Sequence, residues 1–370
     1  MSAEDWDALT DGLDPFVRHA FLAGLESQDC LTSHSWQPCH LTAWQADRLV
    51  GAMPLYMRWA SEGEFVFDWN WAEAHQRAIG PYYPKLVTAI PFTPVTGPRL
   101  LVHPDASDPG QVRKSLVAAA LEFAEAEAVS SWHVLFPDKH LSDELGKHEL
   151  LPRRGCQYHW YNDHYADFDA FLMQLTSRRR KEIRRERRSV SDSDLKIEVL
   201  QGAAITDQHW EVFYPFYCNT FLQRWGRPRL TLAFLQHLSR SMPEVPLLFL
   251  ARDGSRYVAG ALALCGRDTL YGRHWGCNSG YRNLHFELCY YQTIDFCIGH
   301  NLAHLDAGAQ GEHKMSRGFV PVKTCSNHWL RDARFRSAVA DFLQHEHDMI
   351  DRYMQSLASH TAYRQTGAVT

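Results

Sequence analysis

The chain has 370 residues, 45% of them hydrophobic, and a net charge of -5. That length and apolar content suit two compact lobes and exclude a disordered or fibrous chain, while the mild acidity means that nucleic acid or an anionic membrane would have to meet a local basic patch. Nine cysteines, an odd number without a Cys-x-x-Cys pair, read as reduced thiols rather than a disulfide framework or a zinc site.

No apolar run approaches the roughly 20 residues needed to cross a bilayer. The start, Met1-Ser2-Ala3-Glu4-Asp5-Trp6-Asp7, is acidic where a signal peptide would be basic and then apolar, so a cytoplasmic protein without membrane insertion is expected. In chain order, residues 39–45, 49–57 and 64–69 read as strands separated by charged turns, followed by a helix at 112–128 and a strand at 132–136. Residues 167–190 read as one helix containing the run 178–188, with eight basic and two acidic residues. A strand at 196–200 and helices at 207–221 and 231–241 lead into a meander of strands at 247–251, 257–265 and 269–275. Apolar Leu284, Leu288, Tyr291, Ile294 and Ile298 have the spacing of a helix over 284–300 with one buried face. Strands at 304–307 and 322–328 and a long helix at 335–356 complete the chain.

The segment Val50-Gly51-Ala52-Met53-Pro54-Leu55 is echoed by residues 258–264, each after a charged turn. This predicts an α/β (α+β) protein of two copies of one lobe, each a mixed, largely antiparallel sheet flanked by helices. The expected divisions are 1–165 for the first lobe, 166–245 for a helical basic connector with the start of the second, and 246–370 for the second lobe.

Polar groups concentrate in residues 270–319. Gly308 and Gly311 allow the backbone to approach a ligand, and the charges that follow them are too many to be buried unpaired. Lys314 suits an oxyanion or a phosphate, and Glu312 or His313 a base; Gln310 and Arg317 add hydrogen-bonding capacity. Glu287 in the first turn of its helix is either a dipole-favoured carboxylate or a base, and His285 falls on a different side of that helix. Arg273 and His274 alternate across a strand, so only one of them can face the cleft expected to gather the polar groups of 270–319; both, with Tyr291, are candidate substrate contacts. Asp68, Trp69, Tyr83 and Lys85 make an aromatic-rich candidate acceptor pocket. In the basic run, Glu182 and Glu186 can pair along the helix, and the excess of Arg178, Arg179, Lys181, Arg184, Arg185 and Arg188 suits the phosphates of a carrier. His345 and His347 lie on different faces of a helix, and no metal ligand set is assigned. A Gly-x-Ser-x-Gly elbow and a Walker loop are both lacking, which removes support for serine hydrolase and ATP-dependent ligase chemistry.

Residues 270–277 (Leu-Tyr-Gly-Arg-His-Trp-Gly-Cys), 284–292 (Leu-His-Phe-Glu-Leu-Cys-Tyr-Tyr-Gln) and 308–314 (Gly-Ala-Gln-Gly-Glu-His-Lys) with Arg317-Gly318-Phe319 resemble the blocks of the FemAB-like family, associated with peptidoglycan biosynthesis or recognition, within the GNAT acyltransferase superfamily. Residues 65–69, 82–86 and 91–94 match further blocks, so the resemblance covers roughly 15–355. It implies two tandem GNAT-like lobes and transfer of an acyl or aminoacyl group from an activated carrier to an amine of a small molecule or peptide. CoA-using members of the superfamily carry a Gln/Arg-x-x-Gly-x-Gly/Ala loop that holds a pyrophosphate; here residues 277–283 (Cys-Asn-Ser-Gly-Tyr-Arg-Asn) stand in its place. Fem ligases, which use charged tRNA, also lack that loop and resemble this chain at Asp306-Ala307-Gly308, at 314–319 and in the basic helix. The resemblance therefore favours aminoacyl-tRNA over acyl-CoA as co-substrate, with no tightly bound cofactor. An acetyl-CoA-dependent N-acetyltransferase and a non-catalytic protein recognising a cell-wall precursor or nucleic acid are the alternatives. The sequence specifies no oligomeric state.

Overall fold

Pro54 decides the path of the first strands. It has no N–H to give a ladder, and the apolar run 49–57, expected as one strand, breaks there into two that serve different sheets. The computed structural model describes residues 1–10, 12, 14–222, 226–278, 280–308 and 311–364. Its first strands are Trp36–Pro38 (β1), Leu41–Gln45 (β2), Arg48–Met53 (β3) and Leu55–Arg58 (β4). Lys85–Thr88 (β5), Leu101–Val102 (β6), Ser131–Leu135 (β7) and Leu151–Tyr161 (β8) follow. The run before Pro54 pairs as β2-β3-β6, and the run after it joins β1 and β5.

The later strands are Leu195–Gln201 (β9), Pro246–Asp253 (β10), Arg256–Cys265 (β11), Thr269–Cys277 (β12), His304–Asp306 (β13) and Val320–Leu330 (β14). Two compact units result, one of residues 1–156 and 323–353, the other of 157–322 and 354–370. The chain leaves the first unit within β8 and returns to it within β14, so segment 166–245 belongs wholly to the second unit.

In the first unit the main sheet runs β1-β4-β5-β7-β14, with β5 and β7 parallel and the other pairs antiparallel. Leu55, Leu86, Trp132 and Val134 pack with Leu116, Val117, Ala120 and Ala124 of the helix Pro109–Ala126. That helix starts where the chain chemistry favours it, with Asp108 accepting from the Gln111 N–H at 2.9 Å and Pro109 in the first turn. The strand expected over 64–69 does not form. The segment loops into the helix Trp69–Ala78, with the charged Glu64 and Asp68 buried and the apolar Phe67 exposed. Lys85 and Arg58 draw the carboxylates inward.

In the second unit β9-β10-β11-β12 is an antiparallel meander, β13 pairs parallel to β12, and the end of β8 pairs antiparallel to β13. The helix Asp207–Leu222 lies directly on this sheet: a Cβ at Gly276 would stand 1.9 Å from the Phe216 carbonyl oxygen, and one at Gly260 2.8 Å from the Phe213 ring. Each unit thus contains a parallel strand pair bridged by a helix within a mostly antiparallel sheet, the duplicated lobe that the sequence echo suggested. The single helix expected over 167–190 is two, Phe168–Gln174 and Ser177–Ser191. The backbone between them leaves helical geometry to pair with the C-terminal segment: Leu175 bridges Tyr363, and the Thr176 N–H donates to the Ala362 carbonyl at 2.9 Å. Among the described residues no helix is long and apolar enough to cross a membrane.

Candidate functional site

The parallel pair β12/β13 is short. Pairing covers only 269–271 against 304–306, yet β12 continues to Cys277. A bulge at this point, with Leu262 opposite His274 and Ala263 opposite Gly272, leaves Arg273 without a partner position on β11. The strict alternation expected of Arg273 and His274 therefore does not hold. Burial pushes the Arg273 guanidinium down to about 10, against the opposing pull of Asp306. Burial and the neighbouring Arg273 push the His274 imidazole well below its ordinary range, with its ring 4.7 Å from that of Tyr217.

Beyond Asp306 the chain turns through Gly308, at φ +80°, and its carbonyls leave the sheet. Lys314 satisfies them. It comes from the short helix Glu312–Arg317, is 3% exposed, and its Nζ donates to the carbonyls of Ala307 at 2.6 Å and Gly308 at 2.9 Å. Burial lowers its ammonium to about 8, opposed by Asp306. Asp306 in turn fixes the turn by accepting from the Gly308 N–H at 2.8 Å. A buried cation thus stands where two parallel strands separate, at their carboxyl ends, the location where open α/β sheets bind ligands.

The helix that crosses from β12 to β13 begins at Leu284, carries a π-helical stretch over Glu287–Tyr291 and ends at Gly299. Such wide turns re-aim side chains and concentrate at functional sites. His285, Tyr290 and His313 gather here, with ring centroids 5.4 Å apart for His285 and Tyr290 and 6.2 Å for His285 and His313. His313 Nε2 and the Tyr290 hydroxyl are hydrogen-bonded at 2.8 Å. Burial, then His313, Arg317 and Lys314, push the His285 imidazole down to about 4. Burial pushes the Cys289 thiol far up, which leaves it unreactive at neutral pH.

Glu287 has different partners. Its Oε1 accepts from Arg187 at 3.2 Å and Gln292 at 2.8 Å, its Oε2 is buried without a hydrogen-bond partner among the described residues, and burial raises its pKa against the pull of Arg187. Arg187 also binds Asp295 at 2.7 Å. Arg317, expected to touch substrate, is committed inside the protein. Nε donates to Tyr291 at 3.0 Å, Nη1 to the His313 carbonyl at 2.8 Å and to Ser316 at 3.0 Å, and Nη2 to both oxygens of Glu186 at 2.8 and 3.0 Å. Those five bonds use every guanidinium donor. Tyr291, also expected to touch substrate, is fully buried, and its hydroxyl donates a hydrogen bond to Glu186.

The basic helix Ser177–Ser191 therefore has two faces. Ile183, Glu186 and Val190 are buried, and Glu186 and Arg187 brace the site from that side. Arg178, Lys181, Arg185 and Arg188, at i, i+3, i+7 and i+10, form an exposed stripe whose side chains make no hydrogen bond or ion pair to the described residues. Arg179 pairs with Glu182 at 2.8 Å and Arg184 with Asp169 at 2.7 Å.

Asp68, Trp69, Tyr83 and Lys85 belong to the first unit. Lys85 is 0% exposed and donates to Ser61 at 2.8 Å, Glu64 at 2.8 Å and Asp68 at 2.5 Å. Tyr82 adds its hydroxyl to Asp68 at 2.8 Å, and His133 and His328 meet through their Nδ1 atoms at 2.6 Å behind it. Burial works against the Asp68 charge, but Lys85 and His133 hold its carboxyl well below the usual range, and burial with Lys85 pushes His133 down to about 3. Asp68 and Lys85 thus neutralise each other in the interior instead of lining an acceptor pocket, Tyr83 bonds Ser61 at 2.8 Å, and Trp69 is exposed.

Of the expected site residues, Lys314 and His313 come together with Tyr290, while Glu287, Tyr291 and Arg317 join the bracing network around Glu186 and Arg187. Glu312 is exposed, and Gln310 lies outside the described residues. The site roles of His285, Tyr290 and Glu186 emerge only from the fold; the π-helical stretch that follows His285 and contains Tyr290 has no signature in apolar spacing. Among the described residues no group of three or more His, Cys, Asp or Glu is placed to hold a metal ion.

Comparison with known proteins agrees with this architecture. Residues 1–365 match the family model FemAB-like, described as peptidoglycan biosynthesis/recognition. The fold is similar to that of FemX, at TM-score 0.56 and 10% identity over 92% of this chain and 98% of that one. It is also similar to L-PGS from Bacillus licheniformis, at TM-score 0.52 and 10% identity over 90% and 98%. A third similar structure is the C-terminal domain of a putative lysylphosphatidylglycerol synthetase from Agrobacterium fabrum, at TM-score 0.51 and 9% identity over 92% and 96%. No curated protein matches the chain. The fold is two tandem GNAT-like lobes, each a mixed, largely antiparallel sheet flanked by helices.

Proposed function

The chain belongs to the FemAB-like family and has its acyltransferase fold, and from that premise we propose that it moves an aminoacyl or acyl group from an activated carrier, with charged tRNA favoured, to an amine of a small molecule or peptide. The observation that carries this reading is the buried ammonium of Lys314 at the opening between β12 and β13. When an amine attacks an ester or thioester carbonyl, negative charge develops on the carbonyl oxygen. A fixed cation in a water-poor site stabilises that charge far more than it stabilises the neutral ground state. Lys314 is held in place by two main-chain carbonyls and needs little reorganisation to serve it.

The exposed stripe Arg178, Lys181, Arg185 and Arg188 supports a polyanionic carrier, on the outer face of the same helix whose inner face braces the site. Four cations that each neutralise a phosphate weaken binding on the order of 100-fold between 50 and 200 mM salt. The test is a titration of the full chain with a bulk tRNA pool and, separately, with acetyl-CoA, at those two salt concentrations. Salt-sensitive tRNA binding without response to acetyl-CoA is the expected result. Binding of acetyl-CoA alone overturns the choice of donor, and silence from both favours a recognition protein without chemistry.

A further inference from the structure

We propose that His285 is the proton acceptor of the transfer, a reading that rests on the acyltransfer function above and supplies the base it lacks. His285 lies in the first turn of the helix that follows β12, within electrostatic reach of Lys314. Its ring makes edge-type contacts with those of Trp275, at 5.2 Å, and Tyr290, at 5.4 Å. Those contacts set the orientation of the imidazole while leaving its nitrogens uncommitted. It makes no hydrogen bond to any described residue.

The groups the sequence nominated as bases are placed less well. Glu287 is occupied by Arg187 and Gln292, Glu312 is exposed, and His313 has its Nε2 engaged by Tyr290. Burial, then His313, Arg317 and Lys314, keep the resting His285 imidazole neutral, so its lone pair is available, and the same surroundings make the imidazolium acidic enough to hand the proton on to the leaving oxygen.

The amine nitrogen bonds to the acyl carbonyl carbon, and the carbonyl π pair moves onto oxygen beside Lys314. The N–H proton passes to the imidazole. The oxyanion pair then re-forms the C=O bond as the bond from carbon to the carrier's ester oxygen breaks, and that oxygen leaves with the bonding pair and takes the proton back from the imidazolium. The products are an amide and the free carrier, and His285 is regenerated.

The experiment uses the full chain, a pool of tRNA charged with labelled amino acids, and a mixture of free amino acids and short peptides as acceptors. Base-stable, amide-linked label is measured for wild type, His285→Phe and His285→Ala, the last with and without added imidazole. His285→Phe keeps an aromatic ring against Trp275 and Tyr290, so it separates packing from proton transfer. The expected result is product from wild type, a loss of kcat of about 100-fold in both variants, and partial recovery of His285→Ala alone by imidazole. Active wild type with a fully active His285→Phe, or with a His285→Ala defect that imidazole does not touch, overturns the role of His285 and leaves the transferase reading standing. A silent wild type removes the transferase reading and this inference with it.

Discussion

Arg317 offers a stability test whose size follows from its contacts. Substituting leucine removes two hydrogen bonds to Glu186, one to Tyr291, one to Ser316 and one to the His313 carbonyl, and it removes a guanidinium stacked 3.5 Å from the Phe286 ring. Glu186 is 7% exposed and would keep only the Tyr291 hydroxyl. Removing one member of a buried, hydrogen-bonded ion pair typically costs about 3–5 kcal/mol, because the survivor's desolvation is no longer compensated. Arg317→Leu and Glu186→Leu should each lose about that much. The double variant buries no charge at all and should lose only about 1–3 kcal/mol, for a coupling energy of at least ~3 kcal/mol. Urea unfolding followed by tryptophan fluorescence, read from the midpoint and slope of each variant, measures all three. If the double variant costs the sum of the singles to within about 0.5 kcal/mol, the two residues do not act as a pair and the bracing role assigned to this network is wrong.

Three further expectations follow from the same geometry. The ammonium of Lys314 titrates at about 8 against an ordinary value of 10.5, so between those pH values the unfolded chain binds more protons than the folded one and stability rises with pH; relative to Lys314→Met, wild type should gain about 3 kcal/mol over that window in urea unfolding. Lys85→Met leaves Glu64 and Asp68 buried with their principal counter-charge gone and should destabilise the protein by about 3–5 kcal/mol while leaving tRNA affinity, scaled to folded protein, unchanged. Arg185→Glu/Arg188→Glu reverses half of the exposed stripe and should weaken tRNA binding and flatten its dependence on log salt by about 2 units; an unchanged slope would place the carrier elsewhere.

The second lobe was legible because its elements follow their apolar periods. The meander residues Leu247, Leu248, Phe249 and Leu250 are buried, as are Leu284, Leu288, Tyr291, Ile294 and Ile298 along the crossing helix. Long-range pairing defeated the reading elsewhere. The helix break at Leu175 depends on Tyr363, and nothing near residue 175 announces it. Strand β8 has no strand signal at its start, where Pro152, Arg153, Arg154 and Gly155 follow Leu151 and the arginines find Glu346 at 2.8 Å and Asp351 at 2.7 Å only once the C-terminal helix is in place. The site was half legible for the same reason. Lys314 stood out as a charge in a glycine-rich loop, but Arg317 looked equally available, and its internal partners Glu186 and Tyr291 lie 131 and 26 residues away in sequence. Asp68 and Lys85 looked like pocket residues because composition does not reveal that they bury each other.

The most direct test of the central claim is the rate at which Lys314→Ala and Lys314→Arg form amide-linked product from charged tRNA, compared with wild type. A cation aimed at the developing oxyanion predicts a fall in kcat of about 100- to 1000-fold for alanine, partial retention for arginine, and nearly unchanged tRNA affinity in both. Full turnover by Lys314→Ala, with the fold intact, would contradict the account.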